Sequence, residues 1–113
     1  MDEPHLTQHH DDEALAQIAK ALSHPARLAL VRSLSAKPSC CGYLVQDLAD
    51  KQLALAQSTV SQHLRVLVEA GLVTRTLCGV ESYYNLNQEA LTASVAMLGA
   101  LGAPVAQSTK KEA

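Results

Sequence analysis

Two stretches of the chain carry residue types that can do chemistry. Cys40 and Cys41 stand side by side, and Cys78 is the remaining thiol. Thiolates are soft-metal ligands and redox nucleophiles. Neighbours in sequence place two sulfurs within chelating reach of one large soft ion. Ser39 reads as the N-cap of a helix beginning at Cys40 or Cys41. Helix N-terminal amides and dipole would then favour the thiolate. The plainer alternative is a pair of small buried hydrophobes.

The second stretch is Gln57-Ser58-Thr59-Val60-Ser61-Gln62-His63-Leu64-Arg65. Val60, Leu64 and Leu67 share one face at helical spacing. The opposite face carries Ser58, Thr59, Ser61, Gln62 and Arg65, with Gln57 opening the run. Such groups read base edges and phosphates: Gln pairs with adenine, Arg with guanine or phosphate, and hydroxyls with either. On composition alone an ordinary solvated helix face fits as well. His63 suits a phosphate contact or an intrahelical role equally. His5, His9, His10, Asp11 and Asp12 offer a weak metal cluster, for which a solvated arm is the better account.

The elements that must position these residues are legible as patterns. Residues 1–11 read as a mobile arm. A helix over 12–22 carries Leu15, Ile18, Ala19 and Leu22. Ser23-His24-Pro25 interrupts it, and Pro25 opens a second helix to about Leu34. The helix after Ser39 carries Leu44, Val45 and Leu48. Residues 50–56 form a loop, and a fourth helix spans about 57–70, closed by Gly71. The period then changes to that of strands over 72–77 and 81–86, with Cys78-Gly79-Val80 as the turn. Asn87 caps a last helix over 88–102, and residues 107–113 read as a disordered tail. The expected order is ααααββα: mainly α with a β-hairpin, a winged helix-turn-helix, with one DNA-binding and dimerisation domain over 12–106. The apolar positions Leu15, Ile18 and Leu22, with Leu91, Val95, Leu98 and Leu101, are the expected dimer contact.

Bulk properties limit the alternatives. The 113 residues amount to one small domain, 48% apolar but only 3% aromatic, so its core is aliphatic. The net charge of −2 counts against nucleic-acid binding only mildly, because the charge at the groove matters more than the total. The odd cysteine count and the absence of a leader pattern point to the reducing cytoplasm rather than a secreted scaffold. The uncharged stretch 90–109 is too rich in Ala, Gly and Ser for a membrane span and reads as a subunit-contact helix. Ser61 and His63 lack an orienting carboxylate, and no Cys-x-x-Cys motif is present, so an enzyme is not expected. A winged helix serving only protein interaction is the rival supported by the net charge.

LSHPARLALVRSL, then LAQSTVSQHLRVLVEAGLVTR, then the YYNL strand, resemble the ArsR/SmtB repressors in content, order and spacing. The resemblance covers residues 14–86. It implies a homodimer, an inverted-repeat operator and repression relieved by a ligand. Ser58, Thr59, Ser61, Gln62, His63 and Arg65 fall on the family's DNA-contacting helix, and Arg75 is the only cation of the wing. Ser39-Cys40-Cys41-Gly42-Tyr43-Leu44 resembles the start of the DNA-binding unit where arsenic-sensing members carry a Cys-x-Cys site. The implied inducer is trivalent arsenic or antimony at Cys40 and Cys41, with no cofactor required. A thiol-redox or persulfide sensor of the same fold is the alternative. Gly42 departs from the pattern, and Cys78 is the only further sulfur for a three-sulfur site. Ala56 stands where a capping Ser is usual, and residues 49–52 lengthen the turn before the fourth helix. The last helix offers only Glu89 for the family's other metal site, so none is expected there.

Overall fold

The computed structural model describes residues 2–102, with side chains described from Asp11 onward. Its elements are α1 (Asp2–Ala21), α2 (Pro25–Ala36), β1 (Ser39–Cys40), α3 (Cys41–Asp50), α4 (Gln57–Glu69), β2 (Val73–Cys78), β3 (Glu81–Leu86) and α5 (Gln88–Ala100). This is the expected winged helix-turn-helix order with one strand added. The expected tail at 107–113 lies outside the described residues.

Local chemistry accounts for most boundaries. His24 caps α2, its Nδ1 accepting from the Ala26 amide at 3.0 Å, and Pro25 follows at the first helical position. Gly71 ends α4 at φ 83°, a conformation that side chains resist. The Leu72 amide then donates to Leu67 O at 3.0 Å. Asn87 Oδ1 accepts from the Ala90 amide at 3.2 Å and starts α5. Its Nδ2 donates to Gly71 O at 3.2 Å, tying α5 to the end of α4.

The backbone of α1 is helical from Asp2, over the residues expected as an arm. Two expectations are corrected. Ser39 is not the cap of α3. It is buried in β1, its Oγ donates to Lys37 O at 3.1 Å, and Cys40 takes the cap position without a side-chain cap bond. Cys78 belongs to β2, paired with Glu81, so the hairpin turn is only Gly79-Val80.

The sheet order is β1-β3-β2, antiparallel throughout. Ser39 faces Tyr84 and Cys40 faces Tyr83 across β1 and β3. Arg75 faces Tyr84 across β2 and β3. One core joins Leu30 and Leu34 of α2, Leu44 and Leu48 of α3, and Val60, Leu64 and Leu67 of α4 to Leu72, Val73 and Tyr84. The three α4 residues, fully buried, contribute about 4.5–9 kcal/mol as an upper estimate. A polar tie adds direction: Ser33 Oγ donates to the Asp47 carboxylate, and Lys51 Nζ lies 3.0 Å from it. The Ser33 bond, then Lys51, hold the Asp47 carboxyl below its ordinary range.

Leu15 and Ile18 are already buried within the chain, α1 packing on α5, so they are not free for a partner. The outer stripe of α5 and its C-cap is free: Val95, Leu98 and Leu101 are 59%, 41% and 67% exposed.

Candidate nucleic-acid interface and thiol cleft

Helix α4 buries Val60, Leu64 and Leu67 and leaves Gln57, Ser58, Thr59, Ser61, Gln62 and Arg65 exposed. The amphipathic reading of this helix therefore gives the correct exposed strip. Ala56 supplies no side-chain cap, and its carbonyl accepts from the Thr59 and Val60 amides at 3.0 Å each.

His63 differs from these six. It is half-buried and turned to α2, its ring centroid 4.4 Å from that of His24 at a 50° tilt. Burial, then the charges of His24 and Arg27, hold its pKa below the ordinary imidazole value. It still lines a cleft of about 290 Å³ with Arg27, Ser58, Thr59, Gln62 and Val66.

Arg75 is exposed on β2, with Nε donating to Ser82 Oγ at 2.9 Å. It reaches the flank of α4, lining a cleft of about 240 Å³ with Ser61, Arg65, Val68 and Tyr84. A neighbouring cleft of about 370 Å³ joins the two sequence-predicted sites. Cys40 and Cys41 line it on one side, Gln57 and Ser61 of α4 on another, and Arg75, Glu81 and Ser82 of the hairpin on a third.

Both thiols of the pair are free and partly buried. Burial, then the neighbouring Cys40, push the Cys41 thiol up. This corrects the expectation of a thiol lowered at a helix start: Cys41 packs against the core, and desolvation penalises its charged form. Cys78 is exposed at the far end of β2 and is not among the cleft residues. Among the described residues no three His, Cys, Asp or Glu side chains cluster to hold a metal ion. The third-ligand role for Cys78 is therefore not met within one chain. His5, His9 and His10 lie outside the residues whose side chains are described.

Sequence reasoning missed β1, His24 and Arg27. The His24-Pro25-Ala26-Arg27 run signalled only a helix start. Nothing in it shows that α2 begins beside the middle of α4.

A helix-turn-helix domain family matches residues 22–76. The transcriptional repressor SmtB of Mycobacterium tuberculosis is 38% identical over 74 residues, covering 66% of this chain and 51% of that protein. The chain thus spans about half the length of that relative. A crystal structure of a possible transcriptional regulator for arsenical resistance superposes at a TM-score of 0.64 with 31% identity, covering 76% of this chain and 83% of that one. The homodimeric winged helix-turn-helix domain of a possible ArsR-family regulator from Mycobacterium bovis superposes at 0.66 with 24% identity, over 94% and 90% of the two chains. Among the described residues no helix is long and apolar enough to cross a membrane. On these matches and the winged helix-turn-helix fold described above, the chain belongs to the ArsR/SmtB family of winged helix-turn-helix transcriptional repressors.

Proposed function

We propose that the chain binds an inverted-repeat operator as a homodimer and releases it when trivalent arsenic or antimony bonds to Cys40 and Cys41. The observation that carries this is the shared cleft, in which the cysteine pair adjoins Gln57 and Ser61 of α4 and Arg75 of the wing. On DNA, the exposed strip of α4 enters the major groove. Two such helices of a dimer enter successive grooves about 34 Å apart. Gln57, Ser58, Thr59, Ser61, Gln62 and Arg65 supply base and phosphate contacts, and Arg75 a phosphate contact from the wing.

The state of the thiols favours a metalloid hydroxide as inducer. Arsenious acid condenses with two thiols as As(OH)3 + 2 RSH → (RS)2AsOH + 2 H2O. The thiol protons leave in water, so a raised Cys41 pKa does not oppose the step. Zinc must instead displace those protons, and an oxidant or polysulfide needs the thiolate as nucleophile. Two protein sulfurs then hold the metalloid, with the third position taken by hydroxide or a small thiol. The arsenical-resistance name carried by a structural relative is in keeping with this chemistry.

The test is operator release by arsenite under reducing conditions, on a duplex selected by the parent protein from a random library. A coupling of ~1–3 kcal/mol weakens binding roughly 5- to 150-fold. Replacing both Cys40 and Cys41 by Ser should leave a repressor that binds but no longer responds, while Cys78→Ser responds as the parent does. A double variant that releases DNA as readily as the parent would place the sensor elsewhere. Release by polysulfide but not by arsenite would favour the persulfide alternative.

A further inference from the structure

Arg27 has no role in the exposed strip of α4, yet it stands beside it. It lies in the first turn of α2, and its Nε is buried without a hydrogen-bond partner among the described residues. Arg27 as a whole is only half-buried and lines the cleft, so its side chain is open to an outside ligand although Nε itself is covered, and no protein acceptor competes at that nitrogen. The cleft it lines with Ser58, Thr59, Gln62, His63 and Val66 holds several hydrogen-bonding groups and no carboxylate. On its other side Arg27 borders a hollow of about 410 Å³, where Glu69 and Lys20 stand. Glu69 makes no ion pair with it; the ion pair found among the described residues is Lys51–Asp47.

We infer that Arg27 is a DNA-backbone anchor, its guanidinium taking a phosphodiester oxygen at the edge of the groove that Ser58, Thr59 and Gln62 enter. This rests on the DNA-binding reading above and adds a contact from outside the helix-turn-helix pair. The chemistry is suited to it. A guanidinium presents a planar fork of donors that matches phosphate oxygens in pairs. A groove edge lies beside any base-reading helix, so residues flanking that helix meet phosphates. His63 lines the same cleft, and no acid there repels the anion. A phosphate contact fixes position without reading sequence. Arg27 therefore contributes equally on every duplex, whereas Gln62 discriminates between them.

The test compares the parent, Arg27→Gln, Arg27→Lys and Gln62→Ala by fluorescence anisotropy on the selected operator and on a mixed-sequence duplex across a salt series. Each lost phosphate contact removes about 0.9 from the slope of log affinity against log salt, about 1.8 for a dimer. Arg27→Gln should lose this slope and weaken both duplexes by the same factor. Arg27→Lys should keep the slope, and Gln62→Ala should weaken the operator alone. An Arg27→Gln protein with the parent's slope overturns the anchor and leaves the DNA reading standing. A parent with no affinity for any duplex overturns both. Phenylglyoxal labelling of the parent, read by peptide mass spectrometry, covers the case of a variant that fails to fold. Duplex should protect Arg27 but not the exposed Arg32 on the same helix. Arg27 labelled equally with and without duplex overturns the anchor, as does protection by inorganic phosphate alone.

Discussion

Leu98→Glu tests the homodimer proposed above. Val95 and Leu98 of α5, with Leu101 at its C-cap, form a stripe that is 59%, 41% and 67% exposed. Fully burying such a side chain is worth about 1.5–3 kcal/mol. Covering what these three leave in water is therefore worth about 2.5–5 kcal/mol per protomer, and a two-fold interface doubles it. Leu98 accounts for about 1–2.5 kcal/mol of the dimer total. A carboxylate in its place must also be desolvated, or protonated, in both copies. Dimerisation should weaken by at least about 2 kcal/mol, some thirtyfold. Sedimentation velocity over a dilution series measures this, with far-ultraviolet circular dichroism confirming that the helices persist. Val80→Glu is the control, because Val80 is 100% exposed at the hairpin turn, away from α5. A Leu98→Glu protein with the parent's dimer constant would refute the assignment of α5, and a parent that stays monomeric at micromolar concentration would refute the dimer itself.

Two further outcomes follow from the titratable groups. His63 is held below its ordinary value of 6.5 in the folded chain, so between the two values the unfolded state binds more protons. Stability contributed by its neutral form is complete above the unfolded pKa and is lost as pH falls to the folded one. Thermal melts at about pH 5 and about pH 7.5 should show a larger acid loss for the parent than for His63→Gln; equal losses would show that His63 is not the group responsible. At the thiol pair, arsenite affinity should stay nearly constant across neutral pH while any zinc affinity climbs with pH, both read by intact mass spectrometry. An arsenite affinity that climbs as steeply as that of zinc would refute the condensation written above.

What the sequence made legible, and what it did not, divides along local and tertiary causes. The polar strip of α4 was readable because Val60, Leu64 and Leu67 repeat at helical spacing, and the structure buries all three. Asn87 was readable as a cap because capping is local. The same spacing also held a warning about His63, three residues after Val60 and four before Leu67, at the margin of the buried face. Strand β1 was not legible: two residues carry no periodicity, and only β3 makes them a strand. Ser39 looked like a cap because its type fits, yet the β3 pairing takes it out of reach of α3. The shift of Cys41 depends on burial against a core that the adjacent residues do not reveal.

Strand β1 also bears on the proposed induction. On that proposal, a signal at the thiol pair at the start of α3 passes to α4 through the core the two helices share at Leu44, Leu48, Val60 and Leu64. The register supplies a second route. Ser39 lies opposite Tyr84, and Tyr84 lies opposite Arg75, so the residue beside the cysteine pair is separated from the wing's cation by a single strand. Both routes leave from the same short segment, where the chain turns from strand to helix within one residue of Cys40. A metalloid bridging Cys40 and Cys41 must hold two adjacent sulfurs at one atom, and it shifts the equilibrium only by as much as it prefers the backbone that allows this. If that backbone differs from the one pairing Cys40 with Tyr83, α4 and the wing are displaced together. Two elements that must fit one groove at once are then lost through a change too small to disturb the buried leucines behind them.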